Sequence, residues 1–174
     1  MTGKTDAPPP LPHEILDRVC RLARFEGRSL LILAGLFSLL AAYQRDGIGA
    51  FAGCLAAAVG VVELNGVNRL RQASISGLSW IVGSQIALLF TVLTYAILRA
   101  TTFDPATVAQ LITTETRAEF AELGLREDQI LPMLEKSYVG LYATIGLVSV
   151  VYQGAMALYY HRRRDAVRRA LEDV

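Results

Sequence analysis

Two stretches of the chain carry no charged side chain at all, Leu78–Leu98 (21 residues) and Tyr138–Tyr160 (23 residues). A helix rises 1.5 Å per residue, so ~20 apolar residues match the ~30 Å hydrocarbon core of a bilayer. Each stretch therefore predicts a membrane-crossing helix. Two weaker segments precede them. Ser29–Tyr43 is only fifteen residues long, and it reaches span length when the turn Phe25–Arg28 joins it and Arg28 snorkels outward. Ile48–Gly66 is rich in Ala and Gly and ends near Glu63. It follows the first segment across a tight link, Gln44-Arg45-Asp46-Gly47, which suits a helical hairpin. The predicted architecture is an all-α four-transmembrane-helix bundle with spans at 29–43, 48–66, 78–98 and 138–160.

The intervening segments read as follows. Residues 1–12 form a Pro-rich tail, with four prolines between positions 8 and 12, which favours an extended chain. In 13–28, Leu16, Val19, Cys20 and Ala23 recur at helical spacing and Arg18, Arg21, Arg24 and Arg28 gather opposite. This predicts a basic amphipathic helix, suited to the anionic inner surface of a membrane or to packing on the ends of the spans. In 99–137, a loop on the outer side, Asp104 can cap a helix with Pro105 at its first position and Gly124 at its end. A shorter helix through Glu127–Leu131 and a kink at Pro132 complete this outer helical loop. In 161–174, Val167, Ala170, Leu171 and Val174 share one face, so the fourth helix is expected to continue past the membrane as a basic tail.

Basic residues set the orientation. With both termini cytoplasmic, twelve lie inside (Lys4, Arg18, Arg21, Arg24 and Arg28; Arg69 and Arg71; Arg162, Arg163, Arg164, Arg168 and Arg169). Five lie outside (Arg45, Arg99, Arg117, Arg126 and Lys136). This asymmetry obeys the positive-inside rule and predicts a multi-pass protein of the cell (inner) membrane. The first span lacks a short basic leader and a small-x-small cleavage site, so it reads as an uncleaved signal anchor.

Composition changes the picture little. The chain is 53% hydrophobic and 19% charged, with a net charge of +1. That balance implies no nucleic acid partner. Cys20 and Cys54 are too differently placed to suggest a disulfide. His13 and His161 have no ligand partner at helical spacing, so no metal, cofactor or catalytic residue is predicted, and the protein is not expected to be an enzyme.

The polar groups within the spans are few. Glu63 is the one acid in any of them, and Arg69 or an arginine of another helix is its expected partner. Gln85 and Gln153 each lie seven residues from the inner end of their span, ~10 Å deep. Two bare amides at equal depth predict an interhelical clamp or, less simply, the wall of a path. The second span carries two small-residue stripes at different angles, Gly49, Gly53 and Ala57 and then Ala52, Ala56 and Gly60, and the third carries Ser79, Gly83 and Ala87, predicting close helix packing with two neighbours for the second helix. The run Arg162-Arg163-Arg164 is a topology signal and a candidate site for anionic lipid headgroups. Together these features predict a non-enzymatic scaffold or interaction protein of the membrane, with lipid and either a second copy or a membrane-protein partner around it. The alternative is a subunit of an oligomeric channel or small-solute transporter.

Overall fold

A computed structural model describes residues 11–105, 120, 122 and 127–172. Every regular element among them is helical: α1 (Pro12–Tyr43), α2 (Gly47–Arg71), α3 (Ser76–Thr101), α4 (Glu127–Arg162) and α5 (Arg164–Glu172). The first four are long and apolar enough to cross a membrane. Most of the tail 1–12 and of the predicted outer helix Pro105–Leu123, with its stop at Gly124, lies outside the described residues.

The helices outrun the apolar stretches that announced them. The amphipathic segment 13–28 and the first span form one unbroken helix, α1, begun by Pro12 at its first turn, where a missing N–H costs nothing. Gly66 does not end α2, which continues to Arg71. Pro132 lies inside α4, early enough in the helix that little is left upstream to break. The fourth helix does not run on into the tail. It stops at Arg162, and α5 starts separately at Arg164. The break accompanies burial: Val167 and Ala170 of α5 are both buried. Arg168 Nε meets Glu172 Oε1 at 2.9 Å on an exposed face, while Arg169 Nε reaches only the backbone oxygen of Asp165.

Two short links join α1 to α2 and α2 to α3, and both use the same device. Arg45 and Ala73 adopt left-handed backbone angles, φ 59° and 58°. In each case the two N–H groups past the helix end turn back onto it: Arg45 to Ala42 and Asp46 to Ala41, Ala73 to Leu70 and Ser74 to Arg69. This double closure satisfies carbonyls that the helix end leaves free. Asp46 then caps α2 by accepting from Gly49 N at 3.0 Å.

The chain divides into two compact units, Met1–Thr91 with Tyr152–Val174, and Val92–Val151. In the first, α1 and α2 meet through small residues. A Cβ on Gly60 would lie 2.8 Å from the Gly27 carbonyl oxygen, and one on Gly53 would lie 2.9 Å from the Ser38 backbone. Ser38 Oγ uses this approach to donate to the Ala50 carbonyl at 2.8 Å. Gly49 faces Ala41 of α1. The sequence drew two stripes at different angles on α2, yet Gly49, Gly53 and Gly60 all face α1. Its α3 neighbour is met lower down, where Gly66 opposes Gly77 and Ile81. Gly83 has no neighbouring atom within 4 Å of where its Cβ would stand. Beyond Gly66, Val19, Cys20 and Ala23 of α1 are buried with Val67, Leu70, Leu78, Ile81, Tyr160 and Val167. The amphipathic half of α1 thus packs on its neighbours. Burial pushes the Cys20 thiol up despite Arg71 and Arg24 nearby, so it stays an uncharged packing group.

The second unit is an aromatic one. Tyr142 packs edge-on to Tyr95 and Tyr138, with centroids 5.9 and 4.9 Å apart, and Phe103 lies 5.2 Å from Tyr138. Arg99 stacks on the Tyr95 ring at 5.4 Å.

The glycine contacts make a direct prediction. Gly60→Ala should destabilise the protein by ~1–3 kcal/mol through overpacking, whereas Gly83→Ala should stabilise it by ~0.5–1 kcal/mol through helix propensity. Thermal unfolding in mild detergent reads both, and equal effects at the two positions would refute the contact at Gly60.

Candidate functional site

The close approach of α1 and α2 at Gly27 and Gly60 fixes what lies beside it. Glu26 precedes Gly27 on α1. Glu63 follows Gly60 by three residues and so shares its face of α2. The two carboxyls come within hydrogen-bonding reach of each other. Glu63 is 1% exposed.

Two other helices complete the surroundings. From α3, Gln85 Nε2 donates to Glu63 Oε1 at 3.1 Å. From α4, Tyr152 donates its hydroxyl to Glu26 Oε1 at 2.6 Å and Tyr160 donates to Glu26 Oε2 at 2.7 Å. The tyrosines are two helical turns apart and approach Glu26 from different sides. Tyr160 is fully buried while Tyr152 is 51% exposed. Gln85 itself is 2% exposed, and its Oε1 has no hydrogen-bond partner. Among the described residues, neither carboxyl pairs with a lysine or arginine.

Comparison of the chain with protein-family models, with curated proteins and with solved structures found no match.

The sequence named two of these polar groups, Glu63 and Gln85, and mispaired both. Gln85 and Gln153 do not bond to each other, because both side-chain oxygens are without a partner. Gln85 turns its amide to Glu63, a stronger acceptor than a second amide. Gln153 is buried on α4, one residue from Tyr152. Arg69, the expected partner of Glu63, instead stacks on Trp80, 4.7 Å from the ring centroid. Glu26, Tyr152 and Tyr160 were not singled out at all. The depth argument used for the two glutamines would have set the two acids apart: Glu26 lies three residues outside the inner end of the first predicted span, and Glu63 three residues inside the inner end of the second, and only the close approach at Gly27 and Gly60 brings them together.

The three tail arginines divide between two surfaces. Arg162 and Arg163 border a cavity of about 410 Å³ with Leu158 and Tyr159, and Arg163 stacks on the Tyr159 ring at 5.5 Å. Arg164 and His161 border a second, of about 230 Å³, whose floor is Leu78, Val82, Gly83 and Ile86. The empty space beside Gly83 belongs to this cavity.

Double-variant measurements distinguish the observed pairing from the expected one. Glu63→Leu and Gln85→Leu should couple by ~0.6–2 kcal/mol in unfolding free energy. Gln85→Leu and Gln153→Leu should add without coupling. The reverse outcome would restore the amide clamp.

Proposed function

We propose that the chain is a multi-pass protein of the cell's inner membrane, with both termini cytoplasmic, and that it serves as a non-enzymatic scaffold or interaction subunit. The exposure of its apolar helices carries this reading. No more than 28% of the most apolar stretch of any of the four long helices is buried within the chain. Ile32, Leu33, Leu36, Leu39, Phe51 and Phe90 are each exposed by 60% or more. Surface of this kind persists only against lipid or against other apolar helices. A chain that buries so little of itself has room for a second copy or another membrane protein beside it.

Two further observations support the bilayer setting. Tyr95, Tyr138 and Tyr142 with Arg99 form the amphipathic grouping favoured at membrane–water boundaries. The cavities beside Arg162, Arg163 and Arg164 combine cationic rims with apolar floors, which suits an anionic headgroup with its acyl chain. One observation favours the second reading, a channel or transporter subunit: buried polar groups from four helices converge on Glu26 and Glu63.

Two measurements test the proposal. In a background lacking Cys20 and Cys54, Gln72→Cys should be labelled by an impermeant thiol reagent only from the cytoplasmic side and Thr102→Cys only from outside. Labelling of Thr102→Cys from the cytoplasm would reverse the topology. Native mass measurement after mild extraction should find more than one chain or a membrane-protein partner, with bound phosphatidylglycerol. Each arginine of 162–164 replaced by Ala should weaken that lipid's retention about fivefold, as ~1 kcal/mol per basic residue implies. A bare single chain without lipid would remove the interaction reading.

A further inference from the structure

We propose that Glu26 and Glu63 form a proton-binding site, in which one proton, carried on Glu63, is held between the two carboxyls. The argument begins with donors and acceptors. Both oxygens of Glu26 already accept, one from Tyr152 and one from Tyr160. Glu63 Oε1 accepts from Gln85 Nε2. The Glu63 carboxyl also lies within hydrogen-bonding reach of the Glu26 carboxyl, beside the close approach of Gly27 and Gly60, and two carboxyl oxygens bond only if one of them carries hydrogen. With the proton on Glu63, every contact has one donor and one acceptor. Glu26 is then a carboxylate with three donors, and Glu63 an acid that donates to it.

The surroundings agree. Glu63 is buried, and two like charges in contact away from water are strongly disfavoured without a cation between them. The groups that face the pair are Glu26 from α1, Glu63 from α2, Gln85 from α3, and Tyr152 and Tyr160 from α4. None of these is a base that could neutralise a second negative charge. No arginine among the described residues pairs with either carboxyl: Arg69 lies over Trp80, its buried Nε without a hydrogen-bond partner.

A second observation is independent of the acids. Gln85 Oε1 is a buried acceptor without a partner, on the same amide that holds Glu63. Such an acceptor needs a donor, and a proton-bearing group passing to or from Glu63 supplies one. Tyr160 closes one side of the pair and the half-exposed Tyr152 borders the other, so access lies on the Tyr152 side. The step is a simple exchange. Glu63 releases H⁺ to a base in the surrounding medium, and the pair goes from one negative charge to two.

This goes beyond the scaffold reading, and it rests on contacts within the chain rather than on bilayer placement. It is tested on the full chain in mild detergent by infrared spectroscopy across pH. At neutral pH the wild type should show a protonated carboxylic acid C=O band, lost on alkaline titration. Glu63→Gln and Glu26→Gln should each abolish that band at neutral pH, since an amide donates to the remaining carboxylate without needing a proton. Glu135→Gln, at an exposed acid, should retain it, and Tyr160→Phe should shift it by removing one donor to Glu26. Absence of the band in the wild type at neutral pH, or its persistence in either Gln variant, would overturn the proposal. So would erasure of the band at constant pH by sodium chloride but not by choline chloride, which would assign the pair to a metal cation. The wild-type titration needs no variant to fold.

Discussion

The contact on which most else depends is the near-touch of two backbones at Gly27 and Gly60. Helices as apolar on their outward faces as these hold together through close packing and the polar contacts that packing permits. A side chain on Gly60 would collide with the Gly27 carbonyl. The same approach admits the Ser38 hydrogen bond to Ala50 further along. It also sets Glu26 and Glu63 face to face, and that pairing in turn gives Gln85, Tyr152 and Tyr160 something to bind. One steric allowance thus organises the polar interior of the first unit.

Much of the fold was legible because membrane-length helices announce themselves by run length rather than by subtle periodicity. Four apolar segments gave four long helices, and Gln44–Gly47 gave the tight link. The ends were less legible. Hydropathy marks where apolar residues stop, whereas a helix stops where its backbone groups find other partners. That is why α2 runs through Gly66 to a left-handed turn at Ala73, a residue whose type carries no turn signal. The break before α5 was hidden for a related reason: Val167 and Ala170 read equally well as a face of a continuing helix and as one of a separate helix.

The site was only half legible. Small-residue spacing pointed to Gly53 and Gly60, but no spacing rule says which of two stripes meets which neighbour, and Gly83 had the same spacing without a neighbour. Glu26 was hidden by its setting among arginines on the amphipathic half of α1, where an acid looks like an ordinary solvated charge. Tyr160 was hidden because an aromatic residue at a span end reads as interfacial, and Tyr152 because a tyrosine within a span reads as packing. Only the fold turns Tyr152 and Tyr160 toward a carboxylate.

The two left-handed turns carry a consequence for how such a chain is made. They join α1, α2 and α3 so tightly that the contacts at Gly53, Gly60 and Gly66 connect segments adjacent in sequence. Contacts of that kind close early, because little chain must be ordered to form them. The bonds from Tyr152 and Tyr160 to Glu26 span 126 and 134 residues. During synthesis from the N-terminus, the carboxyl pair is therefore assembled well before its two phenols exist. For that interval the growing chain holds an acid pair open on one side, and arrival of α4 is the event that closes it.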